Sequence, residues 1–230
     1  MISTVSSVHS KHHDVENMMQ QIQKKYHETN SLNKEFDVIS TRFSTHTYLE
    51  LYRFKDNRQD KYHNNSLYSV KTIMAREIIQ MNKYLFVFEM NNTINKIMGI
   101  GIIRSNLSKE QNINIYSNSE FNKYVYRSLY HVQLIVPYVI NSYSVSSLNK
   151  TKNVNIYCEN IPAEFIDLME DEIIPKCFFG KGHIKRGGGF TRFPMRFQQP
   201  ELLQKLLKLF VIINPNDFVK NVIVQILDSK

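Results

Sequence analysis

The distribution of glycine constrains this chain more than any other feature of its sequence. The 230 residues contain seven glycines, of which five lie between Gly180 and Gly189 and the other two are Gly99 and Gly101. Glycine reaches positive φ angles and lets other atoms approach the backbone, at a cost in chain entropy. We therefore predict a shaped loop at 180–189 and an unusual packing position on the strand that carries the other pair.

The segment 180–189, called the basic loop below, also carries positive charge. Residues 176–196 contain six Lys or Arg, one His and no acid. Backbone N–H groups in such a loop can surround an anion, and Lys and Arg side chains add charge. Phe179 and Phe190 are expected to anchor its two ends in the core. The predicted nucleic-acid-binding residues are Lys181, His183, Lys185, Arg186, Gly187, Gly188, Gly189 and Arg192, together with Tyr126 and Arg127 from an aromatic, basic segment upstream.

The composition agrees with a globular protein that has an anionic partner. The net charge is +8, and 42% of the residues are hydrophobic. A basic surface favours nucleic acid first and an acidic membrane surface second. The sequence has no apolar run of the roughly 18–20 residues that a membrane span needs, and no signal-peptide core. We therefore expect no membrane span and no secretion, and the two cysteines, Cys158 and Cys177, indicate no disulfide framework.

Residue periodicity predicts a sheet in the middle of the chain. Residues 35–54 alternate and are rich in β-branched and aromatic side chains, which indicates one long strand or a hairpin. Residues 84–90 and 96–104 form a second hairpin around an Asn-rich turn, with further strands in 124–140 and 155–158. Gly99 and Gly101 lie on one face, which indicates a bulge, a sharp bend, or the close approach of a ligand or another backbone.

Apolar stripes predict helices on both sides of this sheet. One helix covers residues 14–26, and another begins at Pro162 and stops at Pro175; two more follow near 202–210 and 218–227. The predicted fold is α+β: a curved, mostly antiparallel sheet or a small PUA-like β-barrel. We divide the chain into an N-terminal helical extension (1–34), a core domain with the basic loop (35–196) and a C-terminal helical cap (197–230).

The sequence lacks the motifs of nucleotide binding, dinucleotide binding and metal binding. The glycines are not followed by the Lys-Ser/Thr of a P-loop, and no strand–helix unit surrounds a dinucleotide fingerprint. Cys158, Cys177 and His183 do not have metal-ligand spacing, so we predict no metal and no cofactor. Glu89, Asn91, Gly99 and Gly101 are candidate pocket residues. No catalytic residue is assigned, although His183 with Glu89 as a general-base pair defines an enzyme alternative.

Three segments resemble a family of uncharacterised proteins from giant, nucleocytoplasmic large DNA viruses. They are residues 89–104, 122–126 and 177–194, in that order. The resemblance implies a viral protein in the cytoplasm or nucleus of an infected host cell, or in the virion. Residues 97–102, Ile-Met-Gly-Ile-Gly-Ile, also resemble a strand of PUA-like barrels, including EVE-type modules that bind modified bases; the Trp common in their aromatic cage is absent from this chain.

Together these features predict a non-catalytic viral module that binds nucleic acid, DNA or RNA, through the phosphate backbone and a base. A second hypothesis is a virion or assembly protein, in which the Met- and Gln-rich N-terminal helix and the Leu-rich C-terminus contact another copy or other virion proteins. A nucleic-acid-processing enzyme is the third.

Overall fold

The fold is an α+β arrangement around one mixed sheet. A computed structural model describes residues 16, 17, 19–21, 24, 32–58, 65–105, 113–137, 156–185, 189–194, 199–214, 218, 222 and 223. The predicted helix at 218–227 lies largely outside these residues, whereas the described residues of 14–26 are helical.

Seven strands and six α-helices have defined bounds, apart from the helical residues within 14–26. The strands are β1 (Phe36–Phe43), β2 (Leu67–Val70), β3 (Tyr84–Asn91), β4 (Lys96–Arg104), β5 (Tyr124–Arg127), β6 (Tyr130–Gln133) and β7 (Thr191–Arg192). The helices are α1 (Leu32–Glu35), α2 (Thr45–Asp56), α3 (Arg76–Ile79), α4 (Ala163–Asp167), α5 (Ile174–Phe178) and α6 (Pro200–Ile213), with a 3₁₀-helix at Ser119–Asn122 and a π-helix at Leu168–Ile173.

The main sheet has five strands in the order β6-β4-β3-β1-β7, and β2 pairs with β5 in a separate two-stranded sheet. The predicted hairpin of β3 and β4 is confirmed. β1 and β3 run parallel because the chain leaves β1 through a helical crossover before it returns. The barrel alternative is wrong, because β6 and β7 lie at opposite edges of the described sheet and do not close it.

The predicted strand or hairpin over 35–54 is correct only as far as Phe43. Ser44 begins helix α2: its hydroxyl accepts the N–H of Thr47, and the hydroxyl of Thr47 accepts the N–H of Ser44. This reciprocal capping satisfies two N–H groups that have no partner inside the helix. The β-branched residues that follow are therefore helical, against their intrinsic preference for strands.

The helix that begins after Pro162 does not stop at Pro175 as predicted. Helix α4 continues as the π-helix and then as α5, which ends at Phe178. Pro175 lies in the first turn of α5, where a missing N–H and a fixed φ are tolerated. This position lets the helix run directly up to the basic loop.

Both faces of the main sheet are buried. All eight residues of β3 and the first eight of β4 are buried. On one face Phe86 and Phe88 pack against Phe210 of α6 and Phe193, with ring centroids 5.7 and 5.1 Å apart. Side chains from α2 and from the β2–β5 pair cover the other face, as described below.

A buried ion pair ties the beginning of β4 to the π-helix. The ammonium of Lys96 lies 2.7 and 2.8 Å from the two carboxylate oxygens of Glu170, and the side chains are 4% and 8% exposed. The hydroxyl of Tyr157 also donates to this carboxylate. Several charge-assisted hydrogen bonds therefore fix the helix that carries the basic loop against the sheet.

Within the described ranges, no helix combines the length and apolarity that crossing a membrane requires.

Glu170→Ala should lower the free energy of unfolding by about 3–5 kcal/mol, because it leaves the Lys96 ammonium buried without its counter-charge. Chemical denaturation measures the loss. Glu164→Ala is the matched control: it removes an exposed ion pair with Lys208 (2.8 Å) and should cost less than about 1 kcal/mol. Equal losses in the two variants would contradict this account.

Candidate nucleic-acid interface and the adjoining polar cluster

The basic loop begins two residues after the end of α5, and its first three residues are exposed. Phe179 is extended, with φ −128° and ψ 164°, and its N–H donates to the carbonyl of Pro175. Gly180 and Gly182 follow with φ angles of 74° and 83°, which residues with a Cβ rarely adopt. Apart from Gly180 and its two chain neighbours, no described atom lies within 4 Å of the point where a Cβ of Gly180 would be. Lys181, between the two glycines, is exposed.

The middle of the loop is fastened to one end of the main sheet. The guanidinium Nε of Arg42 donates to the carbonyl of Ile184 (2.8 Å). At the turn between β3 and β4, the side chain of Asn92 donates to the carbonyl of Lys185 (3.0 Å), and the Lys185 ammonium donates to Asn95 (2.7 Å). Ile184 and Lys185 therefore have defined positions relative to the sheet.

His183 makes a local contact within this loop. It is half-buried, and its Nδ1 accepts the backbone N–H of Lys185 at 3.3 Å. Glu89, its partner in the enzyme alternative, is buried within the sheet and lies beside a different histidine, as shown below.

The far end of the loop is anchored by Phe190, as predicted. Its buried ring contacts the rings of Tyr68 and Tyr126, with centroids 5.9 and 5.3 Å away. Gly189 has φ 66°, and a Cβ there would lie 2.8 Å from the hydroxyl of Thr72. Three predicted contact residues, Arg186, Gly187 and Gly188, lie outside the described residues.

The near end is anchored differently from the prediction. Phe179 is 49% exposed, and the preceding Phe178 is buried instead. The reason is that α5 continues to Phe178 and places that ring in the core, whereas the extended backbone of the next residue directs its ring outward. The prediction that Phe179 anchors the loop is therefore wrong.

Other predicted contact residues lie within the fold. The ring of Tyr126 is buried and its hydroxyl accepts the N–H of Met74 (3.1 Å), so this ring offers no exposed stacking face. Arg127 is half-buried on β5. Arg192 forms an ion pair with the buried carboxylate of Asp37 at 2.7 Å. The side-chain amide of Asn91 donates to the hydroxyl of Thr45, and its oxygen accepts the N–H of Thr93 in the turn after β3.

The pocket candidates Glu89, Gly99 and Gly101 meet in a buried polar cluster. His131 Nε2 lies 3.0 Å from Glu89 Oε1, and the side chains are 6% and 1% exposed. A Cβ at Gly99 would lie 2.6 Å from His131 Nε2 and 2.7 Å from Glu89 Oε2, and one at Gly101 would lie on the hydroxyl of Tyr68. The two glycines therefore make room for side chains of the protein itself.

A bulge assists this arrangement. The register between β3 and β4 shifts between Phe88 and Met90, so that two residues of β4, Met98 and Gly99, lie opposite Glu89. Such a bulge changes the direction of nearby side chains. Of the alternatives predicted for the glycine pair, the bulge occurs here, and the groups closest to the glycines are side chains of the protein, not a ligand or another backbone.

Several polar groups of the cluster are buried without a well-formed hydrogen bond. Within the described residues they are both oxygens of Glu89, Nε2 of His131 and the hydroxyls of Ser66, Tyr68 and Tyr116. The hydroxyl of Tyr48 does accept a hydrogen bond from Gln133 Nε2 (2.7 Å). Burying polar groups with imperfect partners costs free energy, which makes the cluster sensitive to substitution.

Burial and charge shift the pKa values of the cluster. Burial lowers the pKa of His131 despite the nearby carboxylate. For Glu89, burial raises the pKa, whereas His131, Lys55 and the hydroxyl of Ser66 lower it. The lowering is larger, so the pKa of Glu89 lies below its ordinary value. Burial and the Glu89 charge both raise the pKa values of Tyr48 and Tyr68.

The cluster and the basic loop are separate environments joined by packing. Glu89 is enclosed, whereas Lys181 is exposed. Tyr68 contacts Gly101 through its hydroxyl and Phe190 through its ring. The cluster therefore supports the residue that ends the basic loop.

His131 and Tyr68 were not among the predicted site residues. His131 pairs with Gly101 in the β4–β6 register, and Tyr68 reaches the same glycine from a different sheet. The only sequence signal was the polar alternation of His131 and Gln133 along an otherwise apolar strand.

In the part of the chain that the structure describes, no three His, Cys, Asp or Glu side chains are grouped so that they could hold a metal ion. Comparison with protein-family models, curated proteins and solved structures finds no match for this chain.

Gly101→Ala should destabilise the fold by about 1–3 kcal/mol, because the added methyl group overlaps the Tyr68 hydroxyl. Thermal or chemical denaturation measures the change. Tyr68→Phe removes the overlapping oxygen, so the double variant should lose less stability than the sum of the two single variants. Strict additivity would show that the two positions do not touch.

Acidification from pH 7 should destabilise the protein as pH falls below about 6.5, the ordinary pKa of His. The folded state binds the His131 proton less tightly than the unfolded state, so stability is present above that pKa and is lost below it, by at most about 1.4 kcal/mol per pH unit. His131→Gln should flatten this part of the profile of unfolding free energy against pH. His46→Gln, at an exposed position, is the control and should leave the slope unchanged.

Proposed function

We propose that this protein binds nucleic acid through the basic loop, as a non-catalytic module that contacts the phosphate backbone. The observation that carries the proposal is the exposed Lys181 between two left-handed glycines, within a stretch of 21 residues, 176–196, that contains no acid.

The backbone of the loop suits an anion. Gly180 and Gly182 turn the chain through conformations in which successive N–H groups can point toward one bound oxygen cluster. Beyond its two chain neighbours, no described atom lies within 4 Å of the Cβ position of Gly180, so no distant part of the fold blocks a phosphate on that side of the backbone. This geometry favours phosphate recognition over simple surface charge.

The charge of the loop is only partly compensated. Lys181 forms no ion pair with any described residue, and Lys185 is bonded to the neutral side chain of Asn95. By contrast Lys176 lies 3.7 Å from Glu172, and Arg192 is paired with Asp37. Among the described lysines and arginines of 176–196, Lys181 and Lys185 are therefore the two without an acidic partner.

The attachment of the loop also supports binding. Hydrogen bonds from Arg42 and Asn92 hold its middle, and Phe190 holds its end. A loop that is already positioned loses less conformational entropy when it binds. On the resemblance to giant-virus proteins, the nucleic acid would be in the cytoplasm or nucleus of an infected host cell.

The salt dependence of binding tests this function. With four to six phosphate contacts, the logarithm of the association constant for a labelled nucleic acid should fall with the logarithm of salt concentration, at a slope of about −4 to −5 for duplex DNA and about −3 to −4 for a single strand. Lys181→Ala should weaken binding and reduce that slope by about 1. Fluorescence anisotropy at several salt concentrations measures both quantities.

Lys123→Ala is the matched control, because Lys123 is an exposed lysine on a different element and is paired with Glu120. It removes the same charge and should leave the slope unchanged. Absence of binding to DNA and RNA at low salt, or equal effects of the two substitutions, would refute the proposed function.

A further inference from the structure

An exposed aromatic ring stands directly before the basic loop. Phe179 is 49% exposed, precedes Gly180 and lies two positions before Lys181. Burying a Phe side chain is worth about 1.5–3 kcal/mol, so an exposed one is a feature to explain. The fold buries the neighbouring Phe178 and leaves this ring in solvent.

The local backbone determines this exposure. Helix α5 ends at Phe178. The N–H of Phe179 still donates to the carbonyl of Pro175 in the helix, but the ψ angle of Phe179 is 164°, so its backbone is extended and the chain leaves the helix there. Gly180 then turns the chain with φ 74°. The ring is thereby presented at the same turn as the uncompensated charge of Lys181.

An aromatic face beside a lysine matches a nucleotide in a single strand. Bases of any sequence stack on exposed aromatic rings while nearby cations contact the phosphates, at about 1–3 kcal/mol per stacked base. In a duplex the bases are stacked on one another, and their faces are not available to a ring at the protein surface.

An anionic membrane would also attract a basic surface, but membrane insertion needs an extended apolar face. The large apolar side chains exposed among the described residues are Ile73, Phe121, Phe179 and Ile212, and only Phe179 adjoins the near end of the loop. A single ring suits one stacked base better than a lipid surface.

We propose that Phe179 is a stacking platform and that the partner of the basic loop is single-stranded nucleic acid. Lys181 holds a phosphate next to the stacked base. This inference rests on the proposed function and specifies its substrate class.

The absence of tryptophan from the chain gives a direct test. Phe179→Trp creates a single tryptophan at the platform, and its emission, which lies at longer wavelength than that of the 13 tyrosines, should be quenched when oligo(dT) is added, because the indole stacks on a base. Phe121→Trp, at a 39% exposed phenylalanine on the 3₁₀-helix, is the control and should not be quenched. A duplex of equal length should not quench either variant.

Affinity measurements separate stacking from simple apolar contact. Phe179→Ala and Phe179→Leu should both weaken binding to oligo(dT) by about 5- to 100-fold, because neither side chain has a ring. Duplex binding should not change, and Phe121→Ala should bind as the parent protein does. A Phe179→Leu variant that keeps full affinity would overturn the stacking role.

The outcomes also separate this inference from the proposed function. If Lys181→Ala weakens binding to single strands and duplexes while Phe179→Ala affects neither, the loop binds nucleic acid and the platform is wrong. If Lys181→Ala has no effect on either, the proposed function itself fails. A blue shift of Phe179→Trp with vesicles of phosphatidylcholine and phosphatidylserine, and no quenching by oligo(dT), would replace nucleic acid by a membrane.

Discussion

The absence of side chains at Gly99 and Gly101 is the constraint on which the covering of one face of the sheet depends. Because these positions have no Cβ, the Glu89–His131 pair and the Tyr68 hydroxyl lie directly against the β4 backbone. Any larger residue would displace these groups from a buried position. Two glycines on one strand thus make room for the buried Glu89–His131 pair and for Tyr68 of the second sheet.

This packing extends to the surface that we propose as functional. Tyr68, seated over Gly101, supports Phe190, which ends the basic loop, while Arg42 and Asn92 hold the middle of the loop. The Lys96–Glu170 pair fixes the helix that leads into it. The exposed turn at 179–182 therefore projects from supports in the core, a form of preorganisation that lowers the entropic cost of binding.

Local patterns predicted the elements whose signals do not compete. The β3–β4 hairpin and helix α6 follow from alternation and from an apolar stripe. Prediction failed where two local signals conflicted. At Ser44 the capping of helix α2 outweighs the strand preference of the β-branched side chains that follow. At Pro175 the proline follows the π-helix and lies in the first turn of α5, so it does not end the helix. The prediction of a barrel was wrong for another reason: the sequence of an edge strand does not by itself determine which strand pairs with it, and β6 and β7 do not pair.

The sequence by itself determined where the backbone is unusual and where positive charge gathers, because glycine and lysine content are local properties. It identified the two glycine positions, the basic loop and the anchoring role of Phe190. Only the tertiary structure decided which side chains contact Gly99 and Gly101, and that Phe179 is exposed while Phe178 is buried. Those outcomes depend on contacts between Gly101 and residues such as Tyr68 and His131, about 30 positions away, and on the exact residue at which α5 ends, both of which are set by packing.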